Sequence, residues 1–323
     1  MDFRESIKVS VLIPVYNHGM YLEQCIQSVV HQKTDFSYEV LVGEDCSSDN
    51  SRSLLKKMEA ELSNNFTILY RQANLGMVKN ISDLMERARG TYQILLEGDD
   101  YWTDTHKLQY QVDFMEHHAE YSAVGHSCIV VDKNGETTME SYPECGTEKY
   151  TFEQFVQGLL PGQTATILVR SASMKEMYRR YEPYRLHKHF PEDRVRVFLM
   201  LCSGNVGFDS RKMSAYRHVS TGGHSFSANN EWNSESENQW LLFFKGLFQF
   251  ACAECPEDAI ICAGKLYYCY AIRRCVKRAP ENRDMVRPAE IFKQLFREKH
   301  ALSYILFSIK YLVMYNTTHY RNW

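Results

Sequence analysis

From Gln93 to Trp102 the chain reads Gln-Ile-Leu-Leu-Glu-Gly-Asp-Asp-Tyr-Trp, an apolar run that ends in the carboxylates Glu97, Asp99 and Asp100. Like charges this close raise one another's pKa values or recruit a cation. Hard oxygen ligands suit Mg²⁺ or Mn²⁺, which bind through one or two carboxylates and bridge to substrate phosphates. The plainer alternative is a solvated acidic turn capping the helix that begins near Asp104. A second acidic pair, Glu192-Asp193, follows Pro191 and leads into an apolar stretch. It reads either as a general base, which works best with a pKa lifted toward neutrality, or as an acid pair at a helix N-terminus. Cys252, Cys255, Cys262 and Cys269 invite a zinc reading, but their spacings are also those of one helical face. Buried free cysteines behave as small apolar residues, and that reading is preferred.

The elements that must position these groups are legible as alternating apolar runs. Residues 9–15 form a buried strand ended by Pro14, which cannot donate to a central ladder. Tyr16-Asn17-His18-Gly19 turns the chain into a helix with Leu22, Cys25, Ile26, Val29 and Val30 on one stripe. A second strand at 38–42 closes on the polar loop 44–50. A third at 66–70 is followed by the turn Asn74-Leu75-Gly76 and another helix. The fourth strand delivers the acidic cluster. Strands alternating with helices predict a parallel sheet of βαβ units. Carboxylates at the carboxyl ends of such strands face the crevice where open α/β sheets bind ligands. Further strands are predicted at 123–131, 164–169 and 206–208, with a capping box at Thr151-Phe152-Glu153-Gln154. The polar stretch 227–239 reads as a loop or linker, and the pattern from Trp240 onward is helical.

Composition bounds the class. With 323 residues, 24% charged and 44% apolar, the chain is an ordinary globular protein. Its net charge of −3 excludes a generally basic nucleic-acid binder. No apolar stretch precedes the first strand, so the expectation is no signal peptide, a cytoplasmic location and reduced thiols for the ten cysteines. Residues 257–323 hold twelve Lys and Arg against six Asp and Glu, a net of +6 that leaves −9 for the remainder. That asymmetry points to a partner.

Taken in order, these residues resemble family 2 glycosyltransferases of the inverting, nucleotide-sugar-dependent kind. Val11-Leu12-Ile13-Pro14-Val15-Tyr16-Asn17 is similar to the family's opening strand and turn. Residues 40–49 resemble its second strand with an acidic-serine loop. Asn74-Leu75-Gly76 and Ala88-Arg89-Gly90-Thr91-Tyr92 resemble the flanks of its third helix. Residues 96–102 resemble its metal-binding Asp-x-Asp region. The likeness covers residues 8–225; no one piece is specific, and the order of all of them carries it. It implies a GT-A fold, α/β with a Rossmann-like mixed, mostly parallel sheet flanked by helices, and a helical C-terminal extension. The implied division is a catalytic domain at 1–226, a linker at 227–239 and a helical region at 240–323.

The resemblance also assigns roles. It implies Mn²⁺ or Mg²⁺ on Asp99 and Asp100, with His218 or His224 as a further ligand after the Tyr216-Arg217 pair. The donor implied is a nucleotide sugar, a UDP-sugar, with Pro14, Tyr16, Asp45, Lys79, Glu97 and Asp99 around it. Tyr16 would cover the base ring, and Asp45 would accept from uracil or ribose or else act as a helix N-terminal acid. Lys79 would approach the diphosphate as a point charge or stand solvated on its helix. Glu97 replaces the family's first aspartate, and its longer side chain reaches for ribose or water rather than metal. Asp193, with Glu192 beside it, would be the base that deprotonates the acceptor. His187-Lys188-His189 reads as an acceptor-side or surface loop. The acceptor implied is a glycan or a lipid-linked saccharide. A nucleotidyltransferase would want a Gly-rich phosphate loop after the first strand, and Pro14-Val15-Tyr16-Asn17 is not one. A binding module without turnover is the other alternative.

The tail has its own pattern. Leu302, Ile305, Leu306, Ile309, Leu312 and Val313 fall on one helical stripe, with Tyr304, Phe307 and Tyr311 beside it. The segment is too short to span about 30 Å of hydrocarbon. It either packs on neighbouring helices or lies at an anionic membrane surface through residues 301–323, which would make the protein peripheral at the inner face of the cell membrane.

Overall fold

The computed structural model describes residues 6–143, 145, 147–187, 192–219, 234–276 and 288–317. In chain order the elements are β1 (Val9–Val15), α1 (Leu22–Val30), β2 (Tyr38–Glu44), α2 (Ser51–Met58), β3 (Phe66–Tyr70), α3 (Met77–Arg87) and β4 (Tyr92–Leu95). There follow β5 (Tyr101–Trp102), α4 (Lys107–His117), β6 (Tyr121–Val131), β7 (Thr137–Tyr142), β8 (Lys149–Tyr150), α5 (Phe152–Val156), β9 (Leu168–Arg170), α6 (Ser171–Tyr181) and α7 (Glu192–Ser203). The last are β10 (Asn205–Arg217), α8 (Ser234–Glu254), α9 (Glu257–Val276), α10 (Pro288–Leu295) and α11 (Ala301–Thr317). The chain forms two compact units, one of residues 1–151, 159–177 and 199–229, the other of 152–158, 178–198 and 230–323.

The first unit is built on a mixed sheet of order β3-β2-β1-β4-β9-β6-β10-β5. Its β3-β2-β1-β4 half is parallel, as the alternating pattern predicts. Beyond β4 the sheet turns largely antiparallel, since β9 runs against both β4 and β6, while β10 is parallel to β6. Every residue of β1 is buried, which is why that strand reads as an unbroken apolar run. Val11, Ile13, Val40, Val42 and Ile94 pack with Leu22, Ile26 and Val29 of α1 in one core.

The first strand has the expected bounds, 9–15, but Pro14 does not end it: β2 pairs with β1 as far as Val15, while β4 pairs only with Val9 to Leu12. Pro14 O accepts from Gly98 N–H at 3.3 Å, so the proline faces the β4 side just past the ladder's end, where no donor is required of it. Other local predictions come out differently. The strand expected at 164–169 opens instead as a 3₁₀ turn, Thr164–Thr166, which the Gln163 side chain caps by accepting from Ala165 N–H; β9 follows. The short strand at 206–208 is the start of the long β10. In addition, α8 begins at Ser234, inside the polar stretch 227–239.

In the second unit, α11 buries Tyr304 and Ser308, not its leucines. Tyr304 stacks on Tyr268 of α9 at 5.3 Å. Gly264 makes room for it, because a Cβ there would stand 2.3 Å from the Tyr304 ring. Leu302 (71% exposed), Leu306 (58%) and Ile309 (54%) face away from that contact. The aromatic ring can fill a flat gap over a glycine, and the leucine stripe is left on the other side. Cys262 and Cys269 are buried, whereas Cys252 is exposed.

Candidate active site

Because β1, β2 and β4 are parallel neighbours, their carboxyl ends deliver residues 16–18, 45 and 97–100 to one edge of the sheet. The loops there are locked to one another. Asn17 adopts a positive φ of 59°, and its Oδ1 accepts from the N–H of Ser48 (2.9 Å) and of Asp49 (3.3 Å). The small polar residue tolerates that backbone and ties two loops together. Buried Glu44 accepts from Ser47 N–H at 2.7 Å and pairs with Arg52.

Asp45 is buried, and each of its oxygens takes a backbone donor, Leu75 N–H at 2.8 Å and Gly76 N–H at 2.9 Å. It therefore clamps the turn that starts α3, the geometry of a helix N-terminal acid. Gly76 sits at φ +82°, a conformation glycine reaches without strain. Lys79 lies exposed on α3. Tyr16 is 39% exposed at the end of β1.

The acidic cluster is held from across the sequence. Asp100 is buried; its Oδ1 accepts from Arg217 N–H at 2.7 Å and its Oδ2 from Gln163 Nε2 at 3.0 Å. The same Gln163 amide approaches Glu97 Oε2 at 3.4 Å. Burial and the charges of Asp99 and Glu97 push the Asp100 carboxyl well above its usual range, against the pull of those two hydrogen bonds. Asp99 is the more open carboxylate; the imidazole Nε2 of His18 stands 3.9 Å from its Oδ1. Arg217 spans the whole arrangement. It donates to Asp99 O (3.0 Å), Asp132 O (2.9 Å) and Gln24 Oε1 (2.9 Å), and its guanidinium lies 4.3 Å over the Tyr21 ring.

No group of three His, Cys, Asp or Glu among the described residues encloses a metal by itself. A hard ion that keeps waters and shares phosphate oxygens does not need such a cage. Asp99 presents an open carboxylate, and the anionic strain on Asp100 is what a nearby cation relieves, so the residues fit Mg²⁺ or Mn²⁺. His218 is exposed, with its N–H on Val131 O at 2.9 Å, and does not complete a three-ligand group. His224 lies outside the described residues.

In the second unit, Glu192 and Asp193 open α7. Glu192 is paired with Arg185, which also holds Glu182 at 2.9 Å. Asp193 caps the backbone, accepting from Arg194 N–H at 2.8 Å. Burial raises the Asp193 carboxyl, with the Arg194 N–H and guanidinium pulling the other way. Of the two, Asp193 is the carboxylate not neutralised by an arginine pair. His187 is not on the surface as its polar neighbours suggest. It is buried, contacts Tyr181 OH at 3.2 Å and meets the Phe243 ring edge-on, and burial with Arg185 lowers its pKa to about 4. A neutral imidazole packs as a small aromatic once one nitrogen has a partner. Lys188 and His189 lie outside the described residues.

Gln163 and Arg217 escape sequence reading. Both act on residues far away in the chain, and neither type is unusual in its local context; the arginine's only signal was its place between Tyr216 and His218.

Comparison with known proteins bears on the family and the fold. Residues 10–178 match the Glycosyl transferase family 2 profile. The putative teichuronic acid biosynthesis glycosyltransferase TuaG of Bacillus subtilis is 33% identical over 125 residues, 38% of this chain and 48% of TuaG. The putative glycosyltransferase EpsE of the same organism is 28% identical over 142 residues, 43% of this chain and 50% of EpsE. The chain thus spans about half the length of these curated relatives or less; for the uncharacterized protein Rv1520 of Mycobacterium tuberculosis, 33% identical over 42% of this chain, the share is 39%. Among solved structures, S. aureus TarS 1–349 in complex with UDP-GlcNAc superposes with a TM-score of 0.59 at 16% identity, covering 84% of this chain and 73% of that one. That likeness is one of fold.

Arg217→Lys should lower stability by about 2 kcal/mol or more, since an ammonium cannot serve three separated acceptors and the part-buried carbonyls of Asp99 and Asp132 lose a charged partner. Urea unfolding measures this, and a midpoint equal to that of the parent protein would contradict the bridging role.

Proposed function

Since the chain belongs to glycosyl transferase family 2, we propose that it transfers a sugar, with inversion, from a UDP-sugar to a hydroxyl of a glycan or lipid-linked saccharide in polysaccharide synthesis. The observation that carries this reading is the strand-end cluster, in which Asp100 is pinned from both sides while Asp99 stays open. UDP-GlcNAc and UDP complexes of the similarly folded TarS support the choice of donor, and the names of TuaG and EpsE support the reaction class. Asp99, backed by Asp100, would hold Mn²⁺ or Mg²⁺, which when bound supplies Lewis-acid stabilisation of the leaving diphosphate. Tyr16 and Asp45 border the nucleotide side of the same sheet edge. Asp193 takes the proton from the acceptor hydroxyl as its oxygen attacks the anomeric carbon and the bond to the diphosphate breaks.

The test is a screen of nucleotide sugars by thermal shift with Mn²⁺, because a ligand bound to the native state raises its melting temperature. UDP-sugars should shift the melt, and no shift with any nucleotide sugar would overturn the reading. In the same system Asp193→Asn should keep the shift yet lose transfer by roughly 10² or more. A base works only when ionised, so its raised pKa means that activity climbs with pH across a range above that of an ordinary aspartate. Normal turnover in that variant would move the base elsewhere.

The protein is further proposed to work at an anionic membrane surface. No helix among the described residues is long and apolar enough to cross a membrane. The exposed Leu302, Leu306 and Ile309 recur at one-turn spacing, Phe296 precedes them at 70% exposure, and Lys293, Arg297 and Lys310 are exposed nearby in the chain. An apolar face with basic residues beside it is the form that lies in a lipid interface. Flotation should show binding to vesicles with acidic lipid and its loss in Leu302→Glu/Leu306→Glu. Unchanged binding in that variant would remove the helix from the interface.

A further inference from the structure

Asp100 has two hydrogen-bond donors, but none of the described residues donates a hydrogen bond to the Asp99 carboxylate. What faces it is the imidazole of His18, with Nε2 3.9 Å from Asp99 Oδ1. The position of that ring is built into the fold. His18 N–H donates to Ser51 Oγ at 3.0 Å, and its carbonyl accepts from Tyr21 and Leu22 N–H at 2.9 Å, starting α1. The ring rests over Gly98, where a Cβ would stand 2.6 Å from Nδ1. Gly98 is thus the gap that admits the imidazole into the acidic loop.

The two ring nitrogens differ. Nδ1 is buried and has no hydrogen-bond partner. A proton there would be an orphaned buried donor, which folded proteins avoid more strongly than an under-used acceptor. The ring therefore carries its proton on Nε2, the nitrogen turned toward Asp99. A gap of 3.9 Å is too long for a hydrogen bond; a small torsion of Asp99 or one bridging water would close it.

We propose that His18 is a positioning residue that orients Asp99 through Nε2–H, leaving one carboxylate oxygen free for the divalent ion. This rests on the glycosyl-transfer reading above, and in particular on an ion held by Asp99. A carboxylate that ligates an ion needs its remaining lone pairs held, and losing such a partner typically weakens the metal about 10- to 100-fold. Asp100 is held by Gln163 and Arg217, and His18 does the same for Asp99.

The experiment is a Mn²⁺ titration followed by electron paramagnetic resonance of the free ion, with UDP present, alongside a thermal melt of each variant. His18→Leu should weaken Mn²⁺ by about 10- to 100-fold. His18→Gln, whose amide N–H can take the place of Nε2–H, should recover most of that loss. Gly98→Ala, by displacing the ring, should reproduce the leucine variant, and UDP binding without metal should be equal across the set. Parent-like Mn²⁺ affinity in His18→Leu, or equal losses in the leucine and glutamine variants, overturns the positioning role. Absence of Mn²⁺ binding in the unaltered protein overturns the metal assignment itself and His18's role with it, a result visible before any variant is compared.

Discussion

The first unit's binding edge depends on keeping three carboxylates together at the end of β4. Glu97, Asp99 and Asp100 repel one another, and Asp100 is buried, so the arrangement persists only because oriented donors face it. Arg217 N–H and the Gln163 amide supply those donors, and the Arg217 side chain fixes the loop backbone on which the acids sit. Gln163 reaches the cluster because the chain makes a 3₁₀ turn before β9, and Arg217 because β10 runs long enough to bring it there. Two departures from the expected strand pattern are thus what hold the site. A residual anionic strain remains at that edge, and the proposed cation would relieve it.

The neighbouring loops obey the same logic. Glu44, Asp45 and Asp49 are each satisfied locally, by Ser47 N–H and Arg52, by the α3 turn, and by Gly19 N–H with Ser51. Those acids shape the rim and are not strained. Asp99, by contrast, has no hydrogen-bond donor on its carboxylate among the described residues and is left open.

Much of this was legible in the sequence, for a physical reason. Strands covered on both faces must be apolar throughout, so β1, β2 and β4 announce themselves, and their polar ends mark the binding edge. The acidic cluster was legible because three carboxylates directly after a buried run must either stand in solvent or face a cation. Gln163, Arg217 and His18 were not, since each acts through a contact whose partner is distant in sequence and which only the folded sheet creates. Asp45 illustrates a middle case: both readings fitted its position, and the geometry adds that its two oxygens serve Leu75 and Gly76 N–H. For α11 the periodicity was real, but it could not say which side packs; Gly264 decided that by accepting Tyr304.

The most direct measurement is calorimetric binding of UDP with and without Mn²⁺ to the parent protein and to Asp99→Ala. If Asp99 is the open ligand of the cluster, Mn²⁺ tightens UDP binding in the parent protein and has no effect in the variant, whose melting behaviour stays close to that of the parent. Equal Mn²⁺-dependent tightening in both would contradict the account, because the carboxylate around which the edge is arranged would then have no part in holding the ion.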